Sequence, residues 1–116
     1  MAPPYLDCLG MKNDRIRGHL ETLVLSVLRD SPAHGYEVVA ELRRRSSGEF
    51  DLPEGTVYPA LHRLERQGLL ASEWDVRDGR RRRVYRVTAA GAAELSTATK
   101  EWRRFATGMN AILEGA

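Results

Sequence analysis

The chain has 116 residues, of which 42% are hydrophobic and 29% charged, and a formal net charge of +2. That is enough for one small soluble domain with one appended element, and too little charge imbalance for a disordered polyelectrolyte. A single cysteine, Cys8, excludes a disulfide framework, and no CxxC or Cys/His metal spacing is present.

Met1 to Gly10 lacks a basic stretch followed by an apolar one, so it does not read as a secretory leader. No apolar run approaches the ~20 residues needed to span a bilayer. A reducing cytoplasmic setting is expected, with residues 1–15 as a flexible N-terminal tail in which Cys8 is incidental. The positive charge is concentrated rather than spread, at Arg43 to Arg45, at Arg63 and Arg66, and at Arg80 to Arg83.

The first predicted helix runs from Ile16 to Asp30. Leu20, Leu23, Val24, Val27 and Leu28 repeat at helical spacing and form one buried face. Ser31-Pro32 ends it, since a proline disfavours a helical residue before it. A second helix is expected from His34 to Ser46, with Tyr36, Val39, Ala40 and Leu42 turned inward, and Ser46-Ser47-Gly48 closes it.

The third helix, starting near Glu54 to Thr56 and ending at Gln67-Gly68, carries most of the functional information. Val57, Ala60, Leu61 and Leu64 form an apolar back; Thr56, Tyr58, Pro59, His62, Arg63 and Arg66 form a polar, aromatic and cationic front. A helix that must both pack and read DNA needs such a division. Thr56 and Tyr58 can meet phosphates or thymine methyls, Pro59 offers a donor-free apolar surface, and Arg63 can bond a guanine or a phosphate. Glu65 lies off this edge, suited to pairing with a nearby arginine. Pro59 is expected within the first helical turn, where the missing N–H costs nothing.

Leu70 to Val76 alternates as a strand with Leu70, Ser72, Trp74 and Val76 on an apolar face. Arg77 to Arg82, around Asp78-Gly79, reads as a hairpin turn, and Arg83 to Val87 as the return strand. Arginines at a hairpin tip fit phosphate contacts or insertion into a minor groove, so Arg80, Arg81 and Arg82 join the candidate DNA-binding residues. Thr88 is suited to cap a long helix from Ala89 to Leu113. On it Leu95, Ala98, Trp102, Phe105, Met109 and Ile112 are spaced alternately by three and four, a heptad seam that calls for a partner helix, most simply its own copy. Trp102 and Phe105 at that seam could leave a flat apolar slot for a planar molecule.

The fold expected is mainly α with a small β-wing: a winged helix-turn-helix over residues 16–88 and a C-terminal dimerisation helix over 89–116. No nucleophile elbow, phosphate loop, dinucleotide fingerprint or paired-carboxylate signature supports an enzyme. His19, His34 and His62 are scattered on separate helices, so neither a metal nor a cofactor is expected. The competing reading is a protein-interaction module that keeps the winged shape without using it on DNA.

The strings IRGHLETLVLSVLRDSPAHGYEV and EGTVYPALHRLERQGLL, followed by a basic wing and YRVTAAG, resemble the PadR family of bacterial transcriptional regulators. The resemblance runs from about Ile16 to Gly91, and the lone C-terminal helix looks like the short-tailed branch. It implies a homodimeric, usually repressing regulator that binds double-stranded DNA at an inverted repeat. It implies DNA contacts from the third helix and wing, here Thr56, Tyr58, Pro59, Arg63 and Arg80 to Arg82. It also implies a role for Tyr36, in HGYE, near the DNA backbone or bracing the reading helix. Several members release DNA when a phenolic or multidrug-like compound binds, and Trp102 matches the aromatic that some short-tailed members use. The extension Met1 to Gly10 departs from the family's usual short start.

Overall fold

The computed structural model describes residues 18–115. The expected tail 1–15, Cys8 and the proposed helix start at Ile16 lie outside the described residues. Four helices and three strands follow in the order α1 (Leu20–Asp30), β1 (Ala33–His34), α2 (Gly35–Arg45), α3 (Glu54–Arg66), β2 (Leu70–Arg77), β3 (Arg80–Val87) and α4 (Ala89–Leu113). Gly18 and His19 form a turn, so α1 begins at Leu20. The sheet has the order β1-β3-β2, antiparallel throughout, with Ala33 opposite Tyr85 and Leu70 opposite Val87. This is a winged helix-turn-helix with a long C-terminal helix, as the spacing predicts.

The core forms where α1, α2 and α3 converge on the base of the hairpin. Leu20, Val24, Val27 and Leu28 of the expected stripe are buried, and Leu25 joins them because α1 is covered on more than one side. Leu23 is only half-buried and faces α4 instead. Val57, Ala60, Leu61 and Leu64 are fully buried, as expected of the back of α3. Each buried Val or Leu contributes about 1.5–3 kcal/mol, which fixes the rotation of α3 about its axis and so decides which residues face out. At its end Gly68, with φ of 78°, lets Leu69 N donate to Leu64 O at 2.9 Å and Gly68 N to Glu65 O at 3.0 Å. That paired closure is how a helix satisfies its last carbonyls while turning into a strand.

Three expectations are corrected. On α2 the buried residues are Gly35, Val38 and Leu42, at helical spacing, so Tyr36 and Ala40 face solvent and Val39 sits on the flank. Pro59 is the sixth residue of α3, not part of its first turn. The carbonyl to which its missing N–H would have donated belongs to Gly55, which is exposed, so the helix tolerates the loss. The hairpin turn is only Asp78-Gly79, both with positive φ (54° and 74°). A tight turn of this hand matches the twist of its strands, so the ladder continues to Arg77 opposite Arg80. The arginine run is therefore strand, not loop.

Along α4, Thr88 Oγ1 accepts from Gly91 N at 3.0 Å, the expected cap. Leu95 is 2% exposed and belongs to the domain's own core, so it offers no surface to a partner. Beyond it the seam is uncovered: Trp102, Phe105, Met109, Ile112 and Leu113 are exposed, from 43% at Met109 to 80% at Ile112. At about 1.5 Å per residue the 25-residue helix is about 37 Å long, more than the body can cover.

Candidate nucleic-acid interface

Burial of Val57, Ala60, Leu61 and Leu64 leaves Pro59, His62 and Arg66 pointing directly away from the core, with Gly55 on the same edge. The side chains of His62 and Arg66 make no hydrogen bond or ion pair with other described residues. The remaining predicted front residues lie on the two flanks, and both flanks are engaged by the rest of the domain.

On one flank Arg63 Nε donates to Glu21 Oε1 of α1 at 3.1 Å, an ion pair between partly exposed side chains. Thr56 lies on this flank too and is half-buried. On the other flank Tyr58 lies against the start of α2. A Cβ at Gly35 would come within 2.5 Å of Tyr58 Cε1 and 2.6 Å of Cζ, so only glycine admits the ring there. Burial, helped by the Glu54 carboxylate and opposed by the Arg82 guanidinium, raises the Tyr58 phenol above its ordinary value. The hydroxyl is therefore a neutral hydrogen-bonding group at physiological pH.

The same flank ends at Glu65, which does pair with an arginine. Ser72 Oγ donates to Glu65 Oε2, Arg83 Nε donates to Ser72 Oγ at 2.7 Å, and Arg83 Nη2 lies 3.7 Å from Glu65 Oε2. This small network ties the last turn of α3 to the root of the wing. Tyr85, buried beside it, has its phenol raised by burial first and by Glu65 second.

Strand geometry sorts the four arginines. Arg81 and Arg83 share the face of Leu70, Ser72, Trp74 and Val76, the face that packs on the core at its base. Arg80 and Arg82 occupy the opposite face with Glu73 and Asp75. There Arg82 Nη1 lies 3.0 Å from His34 Nε2, while His34 N donates to Glu37 Oε1 at 3.1 Å. Tyr36, 64% exposed, stands beside this cluster with its ring 6.4 Å from that of His34. Arg43 to Arg45 are a separate matter: Arg44 and Arg45 clamp Glu41, and Arg45 also reaches Asp30 at 2.6 Å. Those hydrogen bonds, Arg44's first, hold the Glu41 carboxyl down to about 2.

Reading by residue type alone misses Gly35, Glu21, His34, Trp74 and Arg83. Trp74 and Arg83 are recoverable from strand register. Glu21 stands 42 positions from its partner and carries no local signal. A second feature lies at the root of α4, where Gly18, His19, Leu23, Phe50, Ala98, Trp102 and Phe105 line an open groove of about 820 Å³. The Trp102 ring lies 4.9 Å from that of His19, edge to face, and 5.8 Å from that of Phe105. Among the described residues no cluster of potential metal ligands forms, and no helix is long and apolar enough to cross a membrane.

A helix with an exposed polar and cationic edge, set beside an arginine-bearing hairpin on a three-helix core, defines a DNA-binding regulator of the winged-helix class. Comparison with known proteins makes this specific. Residues 24–97 match the transcriptional regulator PadR-like family, and the chain belongs to that family. A transcriptional regulator of Mycobacterium tuberculosis is 48% identical over 73 residues, 63% of this chain and 65% of the relative. A PadR family transcriptional regulator of Eggerthella lenta has a solved structure that superposes with a TM-score of 0.80 at 38% identity, covering 99% of this chain and all of the other. One from Clostridium difficile gives 0.74 at 35% identity, covering 82% and 98%. These relatives are regulators of transcription and not enzymes.

Proposed function

We propose that this regulator acts as a homodimeric repressor on an inverted-repeat operator. The carrying observation is the uncovered seam of α4. Trp102, Phe105, Met109 and Ile112 repeat at heptad spacing on a helix whose root is locked into the core by Leu95. A second copy of the same helix is the simplest surface that buries them. A twofold pair would carry two α3 helices to successive major grooves, roughly 34 Å apart. In each half, Pro59, His62 and Arg66 would meet base edges, with Thr56, Tyr58 and Arg63 at the sides. Arg80 to Arg82 and Tyr36 would meet the backbone.

The groove beside Trp102 and Phe105 supports a layer of control, release of DNA by a flat apolar or aromatic ligand. Its walls come from α1 and α4 together, so an occupant would bear on the angle between reading head and dimer helix.

The test is binding to the gene's own upstream DNA at two salt concentrations against a scrambled duplex, with the oligomeric state followed by sedimentation. Dimers that bind selectively, with affinity falling steeply as salt rises, are expected, since each neutralised phosphate contributes about −0.9 to the log–log slope. Monomers at micromolar concentration, or equal affinity for both duplexes, would refute the reading.

A further inference from the structure

Trp74 is a large aromatic standing 54% exposed on the wing, one step beyond the core that buries Leu70 and Tyr85 on the same face. Structural need does not explain it there, but its neighbours do. The guanidinium carbon of Arg81 lies over the ring at 4.5 Å from its centroid, and that of Arg83 at 5.1 Å. The two arginines differ in what else they hold. Arg83 is tethered through Ser72 and Glu65 to the last turn of α3. The Arg81 side chain has no ion pair or hydrogen bond with any described residue, and the indole face is what holds its guanidinium.

The opposite face of the hairpin is electrostatically different. Arg80 and Arg82 share it with Glu73 and Asp75, Arg77 Nε lies 2.9 Å from Asp75 Oδ2, and Arg82 is engaged by His34. The distal part of the Trp74 face carries Val76, Arg81 and Arg83 and no carboxylate. It also continues from the flank of α3 that holds Glu65, next to the free Arg66.

We infer that Trp74 is a positioning residue for DNA: it holds the Arg81 guanidinium on the wing face that runs out from Glu65 of α3, where it meets the phosphate backbone. The inference deepens the DNA-binding reading and rests on it. A guanidinium over an aromatic face keeps its N–H edges free for phosphate oxygens while its rotamers are restricted. The contact is to backbone, so it strengthens binding to every sequence alike.

The experiment measures binding to a random-sequence duplex over a salt series, for the wild type, Trp74→Ala, Trp74→Phe, Arg81→Ala and the double variant Trp74→Ala/Arg81→Ala. A thermal melt of each checks folding, which an exposed side chain should leave intact. Trp74→Ala is expected to weaken binding about two- to fivefold, the value of an exposed cation–π contact. The salt slope should fall toward that of Arg81→Ala, a change of about 0.9. The double variant should bind no more weakly than Arg81→Ala alone, and Trp74→Phe should restore most of the affinity. Tryptophan emission should change on DNA addition in the wild type and lose most of that change in Trp74→Phe.

Wild-type affinity and slope in Trp74→Ala, or losses that add in the double variant, would overturn the positioning role while leaving DNA binding intact. A wild type that fails to bind the duplex at low salt would overturn both.

Discussion

Replacing Gly35 by alanine puts a methyl group where the Tyr58 ring now lies. The ideal Cβ stands 2.5 Å from Cε1 and 2.9 Å from the hydroxyl oxygen, against an ordinary carbon–carbon contact of about 3.5–4.0 Å. The ring must retreat by about 1 Å or more. Helix α3 cannot move with it, because Val57, Ala60 and Leu61 on the adjoining face are fully buried. Tyr58 must instead swing toward solvent and give up its half-burial. Removing a fully buried aromatic costs about 3–5 kcal/mol, so half that burial is worth about 2. Against this, alanine gains up to about 1 kcal/mol over glycine in a helix. Gly35→Ala alone should therefore lose about 1 kcal/mol, a fall in Tm of about 4–8 °C for a domain of this size. On a Tyr58→Ala background, with the ring gone, the same substitution should be neutral or stabilising. The coupling from a double-mutant cycle is expected near 2 kcal/mol, read by denaturant unfolding at fixed protein concentration. DNA binding should respond as well, since the displaced ring enters the reading edge: a loss of about five- to tenfold is expected, near the lower limit for losing a base-edge contact. Additive stabilities, or full DNA affinity in Gly35→Ala beside a defective Tyr58→Ala, would refute the idea that Gly35 seats the ring for its work.

Arg66→Ala, removing a cation on the outward edge of α3 whose side chain pairs with no described residue, should weaken operator binding by about 1–3 kcal/mol without lowering Tm; equal losses on scrambled DNA would reassign Arg66 from bases to phosphates. Glu21→Gln releases Arg63, and because an exposed pair is worth about 0.2–1 kcal/mol, affinity should rise by about 1.4-fold to fivefold in filter binding; no gain would mean that Arg63 points elsewhere in the complex. Glu41, held at about 2 rather than 4.5, stabilises the fold fully above pH 4.5 and progressively less as the pH falls toward 2. Glu41→Gln should accordingly reduce the drop in Tm across that window, and an unchanged acid limb would show that the arginine clamp carries no linkage. Phe105→Glu should abolish dimers in sedimentation while leaving the far-ultraviolet dichroism of the head intact; a persistent dimer would move the interface off α4.

Elements whose cause is local were legible in the chain itself. The apolar back of α3, its closure at Gly68, the Thr88 cap and the span of α4 each follow from spacing or capping chemistry, and the structure has them at the expected residues. Part of what failed was local, the place of Pro59 in α3 and the length of the hairpin turn, and the rest depended on how the elements pack. Tyr36 looks like a core residue by composition, but Val38 and Leu42 decide the rotation of α2 and turn it out. Leu95 fits the heptad seam by spacing, yet the root of α4 rests on the domain and claims it for the core. Tyr58 and Arg63 are proper members of a polar front, and only the fold brings Gly35 and Glu21 against them.

The arginine run shows why composition and geometry must be read together. Four consecutive cations suggest one charged tip, but a strand has period two, so the run divides between two faces as soon as the ladder extends to Arg80. On one face Arg82 lies against His34 and joins the wing to the start of α2, while Asp75 pairs with Arg77 beside it. On the other, the Arg81 guanidinium lies over the Trp74 ring, and Arg83 is tied to Glu65 through Ser72. Both anchors lead back to elements that flank the DNA-facing edge: Glu65 in the last turn of α3 and His34 at the cap of α2. The wing is thus oriented by side-chain contacts at its root and middle, and the two-residue turn leaves it little freedom at the tip. Because these anchors sit on different helices, a shift of α3 relative to α2 would pull the two faces of the wing unequally, so a change in the reading edge should be carried into the set of the wing.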